Sequence, residues 1–376
     1  MADPAASTDT APAESAEVRV TWAELYFDLV FVFAVTEVST LLRGEGTWLG
    51  VAHAMVVFVP IYWVWVGTCV FANTHDIDTV VNRLGILALG LIGLFMALAT
   101  PFAYHSRGVL FGVAYLAARL VLIGLARHSG GIPITYLVAV GVSAPLLVLG
   151  GFLPPPVRLL VWAAAAATDL ATPALARGRL ERVQFAPGHL AERFGGFLII
   201  ALGESIVAIG APAAAAGRLG VDVLAAVAAA FVLASGLWWV YYVFAASAVR
   251  HALETAPNRG DIIRRVLSYG HLSFIGAIIA VAVGLAGVIA HPGGRLNPGE
   301  AGLLFGGSAL YLATFGYTRW RMFRTVSKTR LSAAAAVVLP LPVATRVPAL
   351  AALCWVAAVV VVLNVAEHWI VRRQSR

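Results

Sequence analysis

Apolar stretches about as long as a bilayer is thick follow one another from Trp22 to Ile370 with only short polar breaks, and no other feature so narrows what this chain can fold into. Crossing a hydrocarbon core takes about 20 mostly apolar residues in a helix. Lipid admits only helices or closed barrels, because every backbone polar group must find its partner within the protein. Twelve segments approach that length, at approximately 22–42, 48–72, 80–104, 108–126, 132–152, 156–176, 190–211, 220–246, 265–290, 301–319, 331–346 and 348–370. The expectation is an all-α polytopic membrane protein of about 12 transmembrane helices. The eleventh segment is short and interrupted by Pro340 and Pro342, so it is read as a broken or re-entrant element. Pro60 and Pro145 lie inside the second and fifth segments and predict kinks there. Composition agrees: 60% of the residues are hydrophobic and 12% charged, about half the charged share of a soluble domain.

Charge in the connections sets the orientation, because cytoplasmic loops collect Lys and Arg. With the N-terminus inside, 18 of the 26 basic residues fall in inner segments and six in outer loops: Arg43, Arg107, Arg158, Arg218, Arg295 and Arg346. Arg119 and Arg193 remain within or at the edge of spans. This asymmetry predicts a multi-pass inner (plasma) membrane protein with both termini cytoplasmic and the lipid bilayer as its partner. The net charge of +7 is spread between apolar spans rather than gathered on one face, so no nucleic-acid partner is expected. Cys69 and Cys354 sit inside apolar runs, which points to neither a disulfide framework nor a thiolate metal site. Residues 1–20, rich in Ala, Ser, Pro and Thr with scattered acids, are expected to form a disordered N-terminal tail. Trp63, Trp65, Trp238 and Trp239 are read most simply as interfacial belts.

The chain also resembles itself. The segment from Glu24 through Glu37 to Ser39 aligns loosely with that from Glu192 through Glu204 to Ser205, Trp63 and Trp65 with Trp238 and Trp239, and Arg83 with Arg265. This predicts two six-helix parallel repeats, 21–185 and 186–376, related by an axis along the membrane normal. The first and seventh helices would then face each other and bring their acids toward one central site.

Those acids are the candidate functional residues, because a charge in mid-membrane costs several kcal/mol unless it has a partner, a proton or a wet cavity. Asp28, Glu37, Glu204 and Ser205 are the candidates for transport or proton coupling. On a helix Glu24 and Asp28 share a face, Ser39 returns to nearly the same direction and Glu37 points away. His189, Glu192 and Arg193 form a polar turn where the seventh helix begins, and Asp169 of the sixth span is placed to pair with Arg119 of the fourth. His271 is a lone polar residue in the ninth. The loop with His75, Asp76 and Asp78 reads as a solvated turn rather than a chelate. No phosphate loop, HExxH, CxxC or GxSxG pattern occurs, so soluble-type catalysis has no support, and no metal or cofactor is expected.

The same residues carry a family resemblance. Glu24–Glu37, His189–Phe194 with Leu202–Ile206, Leu237–Trp239 and Ser268–Leu272 resemble the bacterial low temperature requirement protein A family over about 20 to 370. The resemblance implies a multi-pass inner-membrane protein linked by name to growth at low temperature, and it implies no activity or substrate. The residues themselves favour a transporter or channel-like permease for a small molecule or ion, coupled to protons or cations through intramembrane carboxylates. The alternatives are a membrane-embedded enzyme acting on a lipid or polyprenyl substrate, and a non-transporting cold-adaptation factor. Oligomeric state is open.

Overall fold

A computed structural model of the protein describes residues 20–180, 183 and 185–374. Twelve principal helices run through them: α1 (Trp22–Glu45), α2 (Trp48–Thr74), α3 (Val80–Phe102), α4 (Gly108–His128), α5 (Ile134–Gly151), α6 (Pro155–Leu175), α7 (Pro187–Ala215), α8 (Val221–Thr255), α9 (Arg259–Ala290), α10 (Pro298–Phe323), α11 (Lys328–Val338) and α12 (Ala349–Arg373). No strand occurs among the described residues, only an isolated bridge between Arg295 and Pro348. Nine of the helices are long and apolar enough to cross a membrane. The exceptions are α6, α10 and α11. Of these, α11 has only 11 residues and stops at the Leu339–Pro340 turn, as its two prolines predict. The expected N-terminal tail falls almost wholly outside the described residues.

Local chemistry sets the helix ends. Thr21 caps α1 through a reciprocal box with Glu24, and Gly46 closes it at φ 54°, a left-handed conformation that costs glycine nothing. Asn297 and Glu300 make the same box at the start of α10, with Pro298 in the first turn. The kink expected at Pro145 takes the form of a π-turn over Ala139–Ser143 immediately before it, where the proline has removed a backbone donor. A second π-segment, Ile263–Gly270, widens α9.

The core is organised around α2, which is buried along most of its length. Its neighbours are α1, α4, α6 and α7, while α7 in turn packs on α8 and α9. Small residues permit close backbone approach: a Cβ on Gly112 of α4 would overlap the Leu147 carbonyl of α5, and one on Gly307 of α10 would press on the Ala277 carbonyl of α9.

Two expectations about polar and aromatic residues change. Trp65 is fully buried and Trp63 nearly so, so the α2 pair packs inside the bundle rather than forming a belt; Trp238 and Trp239 are 41% and 43% exposed. Arg158 is not a free loop charge. It is buried in α6 and donates to the carbonyls of Ala103, His105, Gly150, Gly151 and Leu153, tying the α3–α4 connection to the end of α5. Near the end of α12, Glu367 is buried and pairs with Arg330 at 2.8 Å.

Candidate functional site

Helices α1 and α7 run side by side in the same direction, so contacts between them keep a nearly constant separation in sequence. Arg193 of α7 meets Glu24 and Asp28, and Glu204 meets Thr36. Two acidic stations result, eight residues or about 12 Å apart along the α1 axis.

The first station is a buried polar cluster. Arg193, 1% exposed, donates from Nη1 to Glu24 Oε2 and from Nη2 to Asp28 Oδ1, both at 2.8 Å, and Nη2 also points at Cys69 Sγ at 3.4 Å. Trp65 Nε1 donates to the same Asp28 Oδ1 at 2.8 Å. The other Glu24 oxygen accepts from the Thr21 backbone and hydroxyl. No described residue donates to Asp28 Oδ2, although the side chain is almost completely enclosed.

Asn73 fixes the hydrogen on His189. Its amide orientation is set by Ala186, whose N–H donates to Asn73 Oδ1 at 3.0 Å and whose carbonyl accepts from Nδ2 at 2.9 Å. The second Nδ2 hydrogen therefore faces His189 Nδ1 at 3.1 Å, and that nitrogen must accept. The ring hydrogen sits on Nε2, directed at Glu24 Oε2 at 3.2 Å. Arg193 is the one guanidinium in this buried group with two carboxylates. This station opens on one side. An open cleft of about 930 Å³, bounded by Thr21, Glu24, His189 and the loop with His75, Asp76 and Asp78, reaches it from the end of the bundle where the chain begins.

Beyond it, aromatic rings close the path. Trp65 stacks on Phe197 with centroids 4.2 Å apart, Phe194 meets the Trp65 edge at 4.9 Å, and Phe31 lies 6.3 Å from Phe197. The second station follows. Glu204 is 3% exposed, and its one hydrogen bond among the described residues comes from Thr36 Oγ1 at 2.6 Å. No cation pairs with it there. Glu37, half-buried one residue beyond Thr36, lies within electrostatic range of Glu204 and of Arg107. Ser205 and Ser39 are both fully buried with unpartnered hydroxyls.

The structure thus brings together Glu24, Asp28, His189 and Arg193, and places Glu204 and Glu37 near each other further along. It leaves Glu192 outside, exposed on the far side of α7. Asp169 and Arg119 do face each other, at 3.7 Å, away from both stations. His271 is enclosed by Tyr241, whose hydroxyl is 2.7 Å from Nε2, and by its own helix carbonyls. Its contact with the first station is through the ring of Phe194, at 5.1 Å. Sequence reasoning missed the α2 contributors Trp65, Cys69 and Asn73. Their spacing of four was the available signal, since residues at i, i+4 and i+8 line one helix face. Among the described residues no group of three His, Cys, Asp or Glu side chains is placed to hold a metal.

Comparison with known proteins places the chain. It is 30% identical over 316 residues, 79% of this chain and 76% of the other, to the uncharacterised protein RA0937 of Rhizobium meliloti. No solved structure matches it. Residues 19–365, nearly the whole chain, match the model of the bacterial low temperature requirement A protein (LtrA), and the chain belongs to that family.

Proposed function

We propose that this protein is an inner-membrane transporter or channel-like permease in which movement of a small solute or ion is coupled to protons, or to a cation, through Asp28 and Glu204, with Glu37 as a third carboxylate. The observation that carries the reading is the pair of buried acidic stations on one helix interface. The first opens to a cleft and holds two carboxylates against one guanidinium; the second is a glutamate with a threonine for its sole hydrogen-bond partner. A structural ion pair needs neither the surplus carboxylate nor the unpaired glutamate, each of which is costly in a low-dielectric interior.

In this reading the acidic cleft attracts cations and Asp28 Oδ2 takes the proton, while His189 orients Glu24 through its Nε2–H. The rings of Trp65, Phe194 and Phe197 separate the stations, so transfer to Glu204 requires α1 and α7 to shift their packing. A carboxylate that is alternately protonated and released as access alternates couples the proton to that shift. Recurring neighbours support a duplicated architecture of 21–185 and 186–376: α1 packs on α2 and α3 as α7 packs on α8 and α9, and α3 on α4 as α9 on α10. Twelve spans with both termini cytoplasmic complete the proposed topology, on the strength of the Lys and Arg distribution.

Purified protein in liposomes carrying a trapped pH indicator tests the proposal against a panel of ions and small solutes. Wild type should move protons with at least one solute, and Glu204→Gln and Asp28→Asn should each abolish the coupled flux. A wild type that drives no gradient-dependent flux across the panel, or a Glu204→Gln variant as fast as wild type, would overturn it.

A further inference from the structure

The other face of α2 borders a separate cavity. Its volume is about 70 Å³, and its walls include Trp63, Gly67, Arg119, Tyr136, Asp169 and Arg264, drawn from α2, α4, α5, α6 and the start of α9. Trp65 and Cys69 project from α2 toward Arg193, whereas Val66, Gly67 and Val70 line this second space, so the helix stands between the carboxylate cluster and the cavity.

Arg119 is the anomaly. It is 2% exposed, and Nε and Nη2 are buried without any acceptor. The nearest carboxylate oxygen, Asp169 Oδ2, is 3.7 Å from Nη2, beyond hydrogen-bond length. Asp169 is already satisfied, by the Tyr115 hydroxyl at 2.6 Å on Oδ2 and the Ser143 hydroxyl at 2.7 Å on Oδ1. The guanidinium rests over the Tyr115 ring, 4.8 Å from its centroid, which supports the charge but leaves Nε and Nη2 without an acceptor. Arginine cannot shed its proton, and buried donors left unpaired are expensive. The cavity beside it is several times what one water molecule requires.

The surrounding charge is net positive. Arg264 enters the wall while bonded to Asp261 at 2.6 Å, and Asp261 is shared with Arg265 at 2.8 Å and Arg321 at 2.9 Å. With Arg119 and Asp169, four guanidiniums face two carboxylates. We propose that this cavity is an oxyanion-binding site, in which a phosphate or carboxylate group takes the free donors of Arg119 in the planar fork geometry that guanidinium offers. Trp63 and Tyr136 bound the site, and the Tyr136 hydroxyl is committed to the Gly67 carbonyl at 2.7 Å, so the anion is held by Arg119 rather than by a ring of hydroxyls. The group has two sources of the same chemistry: a free anion, or the phosphate of an anionic lipid. The inference does not depend on proton-coupled transport, since it concerns binding alone.

Thermal unfolding of the purified full chain in non-ionic detergent separates the sources. One arm titrates inorganic phosphate at constant ionic strength; the other adds micelles doped with phosphatidylglycerol, with phosphatidylcholine as the control. A saturable rise in melting temperature with inorganic phosphate identifies a free anion, and a rise with phosphatidylglycerol but not with phosphatidylcholine or phosphate identifies a lipid headgroup. Either rise should vanish in Arg119→Gln and weaken about tenfold or more in Arg119→Lys, which keeps the charge without the fork. If Arg119→Gln does not fold, Val70→Phe, which narrows the cavity and leaves Arg119 in place, should abolish the response instead. No saturable rise in wild type in either arm, or a rise that survives both Arg119→Gln and Val70→Phe, overturns the assignment.

Discussion

Replacing Arg193 with methionine keeps an unbranched apolar stem and removes the cation that faces Glu24 and Asp28. Both of its bonds are 2.8 Å long and all three side chains are essentially enclosed. Removing one partner of a buried pair costs about 3–5 kcal/mol, because the remaining charge is left without compensation. Here two carboxylates lose the same partner, so the cost belongs near the upper end, about 4–5 kcal/mol, or more than a thousandfold in the folded-to-unfolded ratio. Glu24→Gln is the informative contrast. It leaves Arg193 and Asp28 as a one-to-one pair and an acceptor for Thr21, and should stay within about 1 kcal/mol of wild type. The triple variant Glu24→Gln/Asp28→Asn/Arg193→Met removes all three charges together and should regain most of the loss. Unfolding in mixed micelles of increasing SDS fraction, followed by far-ultraviolet circular dichroism, reads these free energies. Arg193→Met within about 1 kcal/mol of wild type, or a triple variant no more stable than Arg193→Met, would refute the view that a charge imbalance governs this cluster.

The same assay reaches two further contacts. Trp65→Phe keeps most of the ring packing on Phe197 but deletes the donor to Asp28; a loss of about 1.5–3 kcal/mol is expected for a hydrogen bond to a charged group, and no loss would place the Asp28 charge elsewhere. Arg158→Lys retains the charge yet cannot reach five carbonyls at once, and should cost about 2–4 kcal/mol. A lysine variant as stable as wild type would mean that Arg158 acts by charge alone.

Much of the fold was legible in order along the chain. Bilayer-length apolar runs specify helices because nothing else satisfies an isolated backbone in lipid, and Pro340 with Pro342 forecast the break after α11. The candidate site was legible in part. Glu24, Asp28, His189, Arg193 and Glu204 stood out as polar residues where polarity is costly, and helical periodicity separated Glu37 from Asp28. That periodicity could not say which acid meets which base, since the partners lie 165 to 169 residues apart.

The alignment of the first helix with the seventh set Glu24 against Glu192, and tertiary structure chose its neighbour. One step along a helix turns a side chain by about 100°. Arg193 therefore enters the interface with α1 while Glu192 leaves it, and a motif that carries both residues cannot distinguish them until the partner helix is in place. The same holds for α2. Its sequence determined a buried apolar helix, but only its position between α1, α6 and α7 turned Trp65, Cys69 and Asn73 toward the carboxylate cluster and Gly67 toward Arg119. Sequence by itself marked most of the polar residues this protein takes into its apolar interior, though not Arg158. Tertiary packing decided which of them are compensated, and left Asp28 Oδ2, Glu204 and Arg119 as the groups whose needs the surrounding helices do not meet.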